Sequence, residues 1–115
     1  MQKFFMGFVH AFRGIFELIK SERNFQVHVV ALALVIGLGL YCDIKQGEWM
    51  LISIVSSIVL MAEALNSAIE KLADEVTKER KPSIKKVKDM AAGGVLISAI
   101  SAAIVGIWIF WKYLF

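Results

Sequence analysis

The chain has 115 residues, enough for one domain. Hydrophobic residues make up 58% of it and mean hydropathy is +0.68, against roughly 45–50% apolar in ordinary soluble domains, which excludes a water-soluble globule. The 13 Lys and Arg exceed the 10 Asp and Glu for a net charge of +3, but the cations gather in particular segments and give no evidence of nucleic-acid binding.

In chain order, Phe4, Phe5, Phe8, Phe12, Ile15, Phe16 and Ile19 recur at three- and four-residue spacing, with Lys3, His10, Arg13, Glu17 and Lys20 largely opposite. That pattern predicts an amphipathic helix over 1–20 lying in the membrane interface. It lacks the small-residue cleavage site of a signal peptide. Residues 24–42, 49–62 and 90–111 then contain no Asp, Glu, Lys or Arg. The first and third meet the ~20 residues needed to cross a bilayer. The second does so if its helix runs on through Glu63 to Ile69. The expected fold is an all-α integral membrane domain spanning 1–115, with transmembrane helices at 24–42, 48–76 and 87–112. Pro82, the one proline, separates the second span from the third. Cys42 is alone, so no intrachain disulfide can form.

Lys3, Arg13, Lys20 and Arg23 precede the first span, and Lys71, Lys78, Arg80, Lys81, Lys85, Lys86 and Lys88 lie between the second and third. The other two junctions carry only Lys45 and Lys112. The positive-inside rule therefore assigns the N-terminus and the 71–88 segment to the cytoplasm. Trp49, Trp108, Trp111 and Tyr113 form an aromatic belt at the other face.

The most telling stretch is Glu63, Asn66, Glu70 and Asp74, which begins at the end of an apolar run. At 100° per residue these fall at about 0°, 300°, 340° and 20°, one narrow helical stripe. An acidic residue at membrane depth costs on the order of 2.5–3.5 kcal/mol, so such residues are usually paired, metal-bound or catalytic. Glu22, Glu70, Asp74, Lys88 and Asp89 all belong near the same membrane face. Clustered carboxylates suit Mg²⁺, which keeps waters and phosphates among its ligands, and the neighbouring lysines and Arg13 suit a polyphosphate. Glu63 lies about 10 Å deeper than Glu70, where a hydroxyl presented from the bilayer would meet it. The chemistry implied is phosphoryl transfer from a soluble nucleotide to a membrane-dissolved alcohol. No G-x-x-x-x-G-K-[ST] loop is present, and Ala91-Ala92-Gly93-Gly94 reads first as a close helix-packing face. Three short helices are not expected to shield Glu63, Asn66 and His28 unaided, which predicts an oligomer. His28 itself reads as a packed histidine bonded to a neighbouring helix.

Glu-Ala-Leu-Asn-Ser-Ala-Ile-Glu-x-x-x-Asp over 63–74, Glu22-Arg23-Asn24-Phe25 upstream and Lys88-Asp89-x-Ala-Ala-Gly downstream together resemble the prokaryotic diacylglycerol kinase family. The resemblance covers nearly the whole chain. It implies a homotrimer in the bacterial inner membrane, with cytoplasmic active sites at subunit interfaces, in which MgATP phosphorylates a lipid alcohol. Carried over by position, Glu63 is the implied general base and Asn66 its polar neighbour. Glu22 and Glu70 are the implied Mg²⁺ ligands. Asp74, Lys88 and Asp89 are implied nucleotide contacts, with Glu79, Arg80 and Lys81 near the adenine or ribose and His10 and Arg13 on the surface helix. Glu63, Asn66 and Ala92 are implied to meet the lipid. Proteobacterial members, which phosphorylate diacylglycerol, carry a serine where this chain has Ala91-Ala92. The Glu-Arg-Asn-Phe-x-x-His pattern ending at His28 is similar to the Gram-positive undecaprenol kinases. Undecaprenol is therefore the expected acceptor and diacylglycerol the alternative. A small cation or proton transporter would explain Glu63 but not the acidic and basic set at the membrane face. In a non-catalytic assembly subunit the stripe would only pair with neighbouring cations.

Overall fold

The computed structural model describes residues 1–115 as four helices: α1 (Gln2–Ser21), α2 (Arg23–Cys42), α3 (Gln46–Val76) and α4 (Pro82–Leu114). A single residue, Glu22, separates α1 from α2, its extended backbone (φ −100°, ψ 107°) interrupting the helix. Across this break the Gln26 side chain donates to the carbonyls of Ile19 and Lys20 at 2.8 and 3.2 Å. Those are acceptors that a helix end leaves without partners. α2 stops at Asp43, which adopts the left-handed conformation (φ 53°) that a short polar side chain tolerates.

α3 begins three residues later, at Gln46. Lys45 N–H donates to Glu48 Oε1 at 2.9 Å, occupying one of the open donors of the first turn. The same carboxylate reaches the far end of α4, accepting from Tyr113 Oη at 2.5 Å and pairing with Lys112 Nζ at 2.7 Å. The start of α3 is thus clamped to the end of α4, and residues 77–81 close the other end of an antiparallel hairpin. This hairpin is the most extensive helix pairing in the molecule. Beside the Glu48 clamp lies the apolar core, Ile44, Ile52, Ile109 and Phe110, with Trp49 and Cys42 packed against it. The Trp49 indole rests on α2 where a Cβ on Gly39 would come within 2.6 Å of the ring, so only glycine fits there without displacement.

α2, α3 and α4 are each long and apolar enough to cross a membrane. With 31 and 33 residues, α3 and α4 run roughly 45–50 Å, well beyond the ~30 Å hydrocarbon core. The chain fills 50 × 42 × 20 Å with a radius of gyration of 17.1 Å, against about 13 Å for a compact globule of this length. Only 12 of 115 residues are buried, and Leu34 (71%), Ile97 (70%) and Trp108 (80%) stand exposed. Apolar surface on that scale requires lipid or a second subunit to cover it.

α4 starts at Pro82, ahead of the span expected from 87, because proline at the first helical position gives up no hydrogen bond and has its φ preset. The expected packing face at Gly93 and Gly94 is open within one chain, where a Cβ on either would meet nothing within 4 Å. One expectation is corrected: Glu63 and Asn66 are shielded by a single chain, at 2% and 4% exposure, because α2 and α4 both pack against α3, whereas the His28 side chain stays 25% exposed.

Candidate active site

α3 carries one buried face along most of its length: Ile52, Val59, Glu63, Asn66, Ser67 and Ala73. Helical spacing explains the alignment, since residues three, four and seven apart share a face. The face is apolar at Ile52 and Val59 and turns polar within the next turn at Glu63. Towards the charged end of the molecule it passes half-buried Glu70 and reaches exposed Asp74.

Two side-chain oxygens on this face, Glu63 Oε1 and Asn66 Oδ1, are buried without any hydrogen-bond partner. Both are acceptors, and burying an acceptor unsatisfied costs about 1–3 kcal/mol, more when it is charged. Both oxygens remain open to a donor from outside the chain. Glu63 Oε2 faces His28 Nε2 of α2 at 3.5 Å. Glu22 and Glu70 lie close enough for their charges to act on Glu63. Glu22 is itself held by Lys71 of α3 at 3.2 Å, so the α1–α2 break is tied to the acidic stripe. Glu70 makes no ion pair or side-chain hydrogen bond. No group of three or more His, Cys, Asp or Glu side chains is arranged to hold a metal ion within the chain.

At the hairpin turn an open cleft of about 500 Å³ is lined by Asp74, Glu79, Arg80, Lys81 and Lys88, together with Lys78 and Lys85. Lys88 Nζ of α4 pairs with Asp74 Oδ1 of α3 at 2.6 Å, bridging its two walls. Five cationic side chains around one opening make a favourable setting for a polyphosphate. Asp89 stands apart from this cleft, paired at 2.6 Å with Lys85 one turn earlier on α4. A second cleft of about 370 Å³ runs between α1 and α3 and is lined by Gly14, Leu18, Glu22, Ala64, Ser67 and Lys71, among others. His10 and Arg13 are exposed on α1 and line neither cleft, and Ala92 is exposed on α4.

The fold thus brings Glu63, Asn66, Glu70 and Glu22 to one neighbourhood, and Asp74, Glu79, Arg80, Lys81 and Lys88 to another. His28 and Lys71 join the first group as partners of Glu63 and Glu22, and the sequence reading assigned neither to the site. The signal for His28 was its polarity inside an apolar segment. Lys71 is one of many cations in its segment, and nothing in the sequence marks it.

These features define a membrane-embedded helical protein with a buried acidic site beside a basic cleft, and comparison with known proteins narrows the class. The model of the family described as prokaryotic diacylglycerol kinase matches residues 9–110. The chain belongs to this family of prokaryotic lipid kinases. It is 40% identical to the undecaprenol kinase of Bacillus subtilis, over 96% of this chain and 89% of that one. It is 35% identical to the diacylglycerol kinase of Pseudomonas aeruginosa, over 80% and 69% of the two chains. For the diacylglycerol kinase of Escherichia coli strain K12 the identity is 27%, over 90% and 85%.

Proposed function

We propose that this protein transfers the γ-phosphoryl group of MgATP to the hydroxyl of undecaprenol, with Glu63 as general base. The observation that carries this reading is the pair of buried acceptors without donors, Glu63 Oε1 and Asn66 Oδ1. A lipid hydroxyl entering there donates its proton to Glu63 Oε1 as its oxygen attacks the γ-phosphorus. The bond from that phosphorus to the bridging oxygen of ATP breaks, and ADP leaves. Asn66 keeps the hydroxyl aligned. The cleft lined by Lys78, Arg80, Lys81, Lys85 and Lys88 suits the nucleotide, with Asp74, Glu79 and Asp89 as further contacts. Positioning and charge neutralisation supply most of the acceleration in such transfers. The 40% identity to an undecaprenol kinase, spanning nearly both chains, supports undecaprenol as acceptor.

Glu22 and Glu70 fit a Mg²⁺ ion, because Glu70 is uncommitted and two carboxylates leave the remaining positions to water and phosphate oxygens. When bound, the ion supplies charge neutralisation at the phosphates. Lys71 orients Glu22 in the meantime.

Labelled ATP offered with undecaprenol or diacylglycerol in mixed micelles tests the assignment. Phosphate should pass to undecaprenol at the higher kcat/KM. Preference for diacylglycerol would reassign the acceptor. Transfer to neither lipid, with cation or proton flux in liposomes, would replace the kinase reading by a transporter.

The working unit in this proposal is a homotrimer in the bacterial inner membrane, with the charged end cytoplasmic and α1 on the membrane surface. The thin chain, its exposed apolar flanks and the uncontacted Gly93 and Gly94 support a covering partner. A mid-helix glycine costs about 1 kcal/mol relative to alanine, and close approach of a neighbouring helix offsets it. Native mass spectrometry from detergent should give three chains per particle, and a monomer active at full turnover would refute the trimer. His10 and Arg13, free of the clefts in their own chain, are then available to a neighbour's nucleotide.

A further inference from the structure

Glu63 has two oxygens in different circumstances. Oε1 is buried and unpartnered, whereas Oε2 faces His28 Nε2 at 3.5 Å. His28 is the only side chain that reaches ion-pair distance of Glu63. The other ionised groups acting on it, Glu22 and Glu70, carry its own sign and cannot hold it. Nor can Glu63 turn to water for support, since its side chain is 3% exposed. Asn66, its polar neighbour one turn along the same helix, is the other group that engages Glu63, so His28 is the one partner supplied by a different element. The aim of the base therefore depends in part on α2.

We infer that His28 is the positioning residue for Glu63, engaging Oε2 through its Nε2–H so that Oε1 alone faces the incoming hydroxyl. This rests on the reading of Glu63 as general base. The division of labour resembles other sites in which one group takes the proton and another fixes its orientation through a hydrogen bond. The histidine ring is well suited to it. Its body lines a small apolar cavity of about 180 Å³ with Ala31, Leu32, Val35 and Val59, while its Nε2 edge meets the carboxylate. The side chain is 25% exposed, so it is packed by the apolar walls yet reachable when the lipid enters. His28 touches no reacting atom in this arrangement and acts only through Glu63.

The test uses the full-length protein in mixed micelles, with kcat and both KM values measured for His28→Ala, His28→Gln, Glu63→Gln and the double variant His28→Ala/Glu63→Gln. His28→Ala should lower kcat roughly 10- to 100-fold, the cost of a base displaced by about an ångström, and leave the KM for ATP unchanged. His28→Gln puts an amide N–H where Nε2–H stood, and it should recover turnover to within a few fold of the wild type. In the double variant the loss of His28 should add nothing to the loss from Glu63→Gln, because a positioning residue has no effect once its base is gone. Wild-type kcat in His28→Ala would overturn the inference. So would a His28→Ala loss that multiplies fully with that of Glu63→Gln, or one that His28→Gln does not restore. If Glu63→Gln alone kept wild-type turnover, the base reading itself would fall. A crippled Glu63→Gln beside a normal His28→Ala would remove only the role of His28.

Discussion

Glu63→Gln should lower turnover by about 10²–10⁴-fold, the usual contribution of a general base, with the KM for ATP essentially unchanged. The substitution preserves the size of the side chain and the contact with His28 but removes the ability to accept a proton at Oε1. Folding should survive it. Glu63 is buried with one oxygen unpartnered, and replacing a desolvated carboxylate by a neutral amide relieves part of that cost. Measuring kcat and both KM values separately decides the assignment. A drop confined to kcat is the signature of an interaction made only in the transition state. Should the variant instead lose ATP affinity and keep its turnover at saturating nucleotide, Glu63 belongs to the nucleotide pocket.

Glu22→Gln and Glu70→Gln should each cost about 10²–10³-fold in turnover, the range seen when a preorganised electrostatic partner of the transition state is lost. Both variants should need more Mg²⁺ for half-maximal rate, since an amide is a weaker ligand for a hard cation than a carboxylate. The two are expected to differ in one respect. Glu22 is paired with Lys71 at 3.2 Å and helps tie the α1–α2 break to α3, whereas Glu70 has no such duty. Glu22→Gln should therefore also lower thermal stability modestly, and Glu70→Gln should not. A Mg²⁺ titration of each variant beside a melting curve separates the roles. An unchanged Mg²⁺ requirement with normal activity in either variant would take that residue out of the metal site.

Much of this arrangement was legible in the linear sequence because it depends on periodicity within one segment. Glu63, Asn66, Glu70 and Asp74 had to share a face of α3 once that segment was helical. The apolar run ending at Ala62 already located the point where the face turns polar. The basic segment around 78–88 was equally visible, and its residues do surround one cleft at the hairpin turn. Pro82 reads as a breaker of the preceding helix, and the same property makes it a good first residue of the next one, so α4 extends beyond the expected span. Shielding of Glu63 and Asn66 was underestimated because exposure depends on how closely α2 and α4 pack on α3, and helix length carries no information about that.

By itself the sequence determined a membrane protein of four helices, the acidic stripe, the basic turn and the family, for all of these follow from composition, spacing and motif. The tertiary structure decided which faces of separate helices meet. His28 lies 35 residues before Glu63, and only the rotation of α2 about its axis brings Nε2 to 3.5 Å from that carboxylate. Lys71 with Glu22, Lys88 with Asp74, and Glu48 with Lys112 and Tyr113 are likewise contacts between elements. Spacing along one helix sets which side chains share its face. It does not set the partner of that face, which depends on helix rotation, crossing and depth, and these follow from packing of the whole chain.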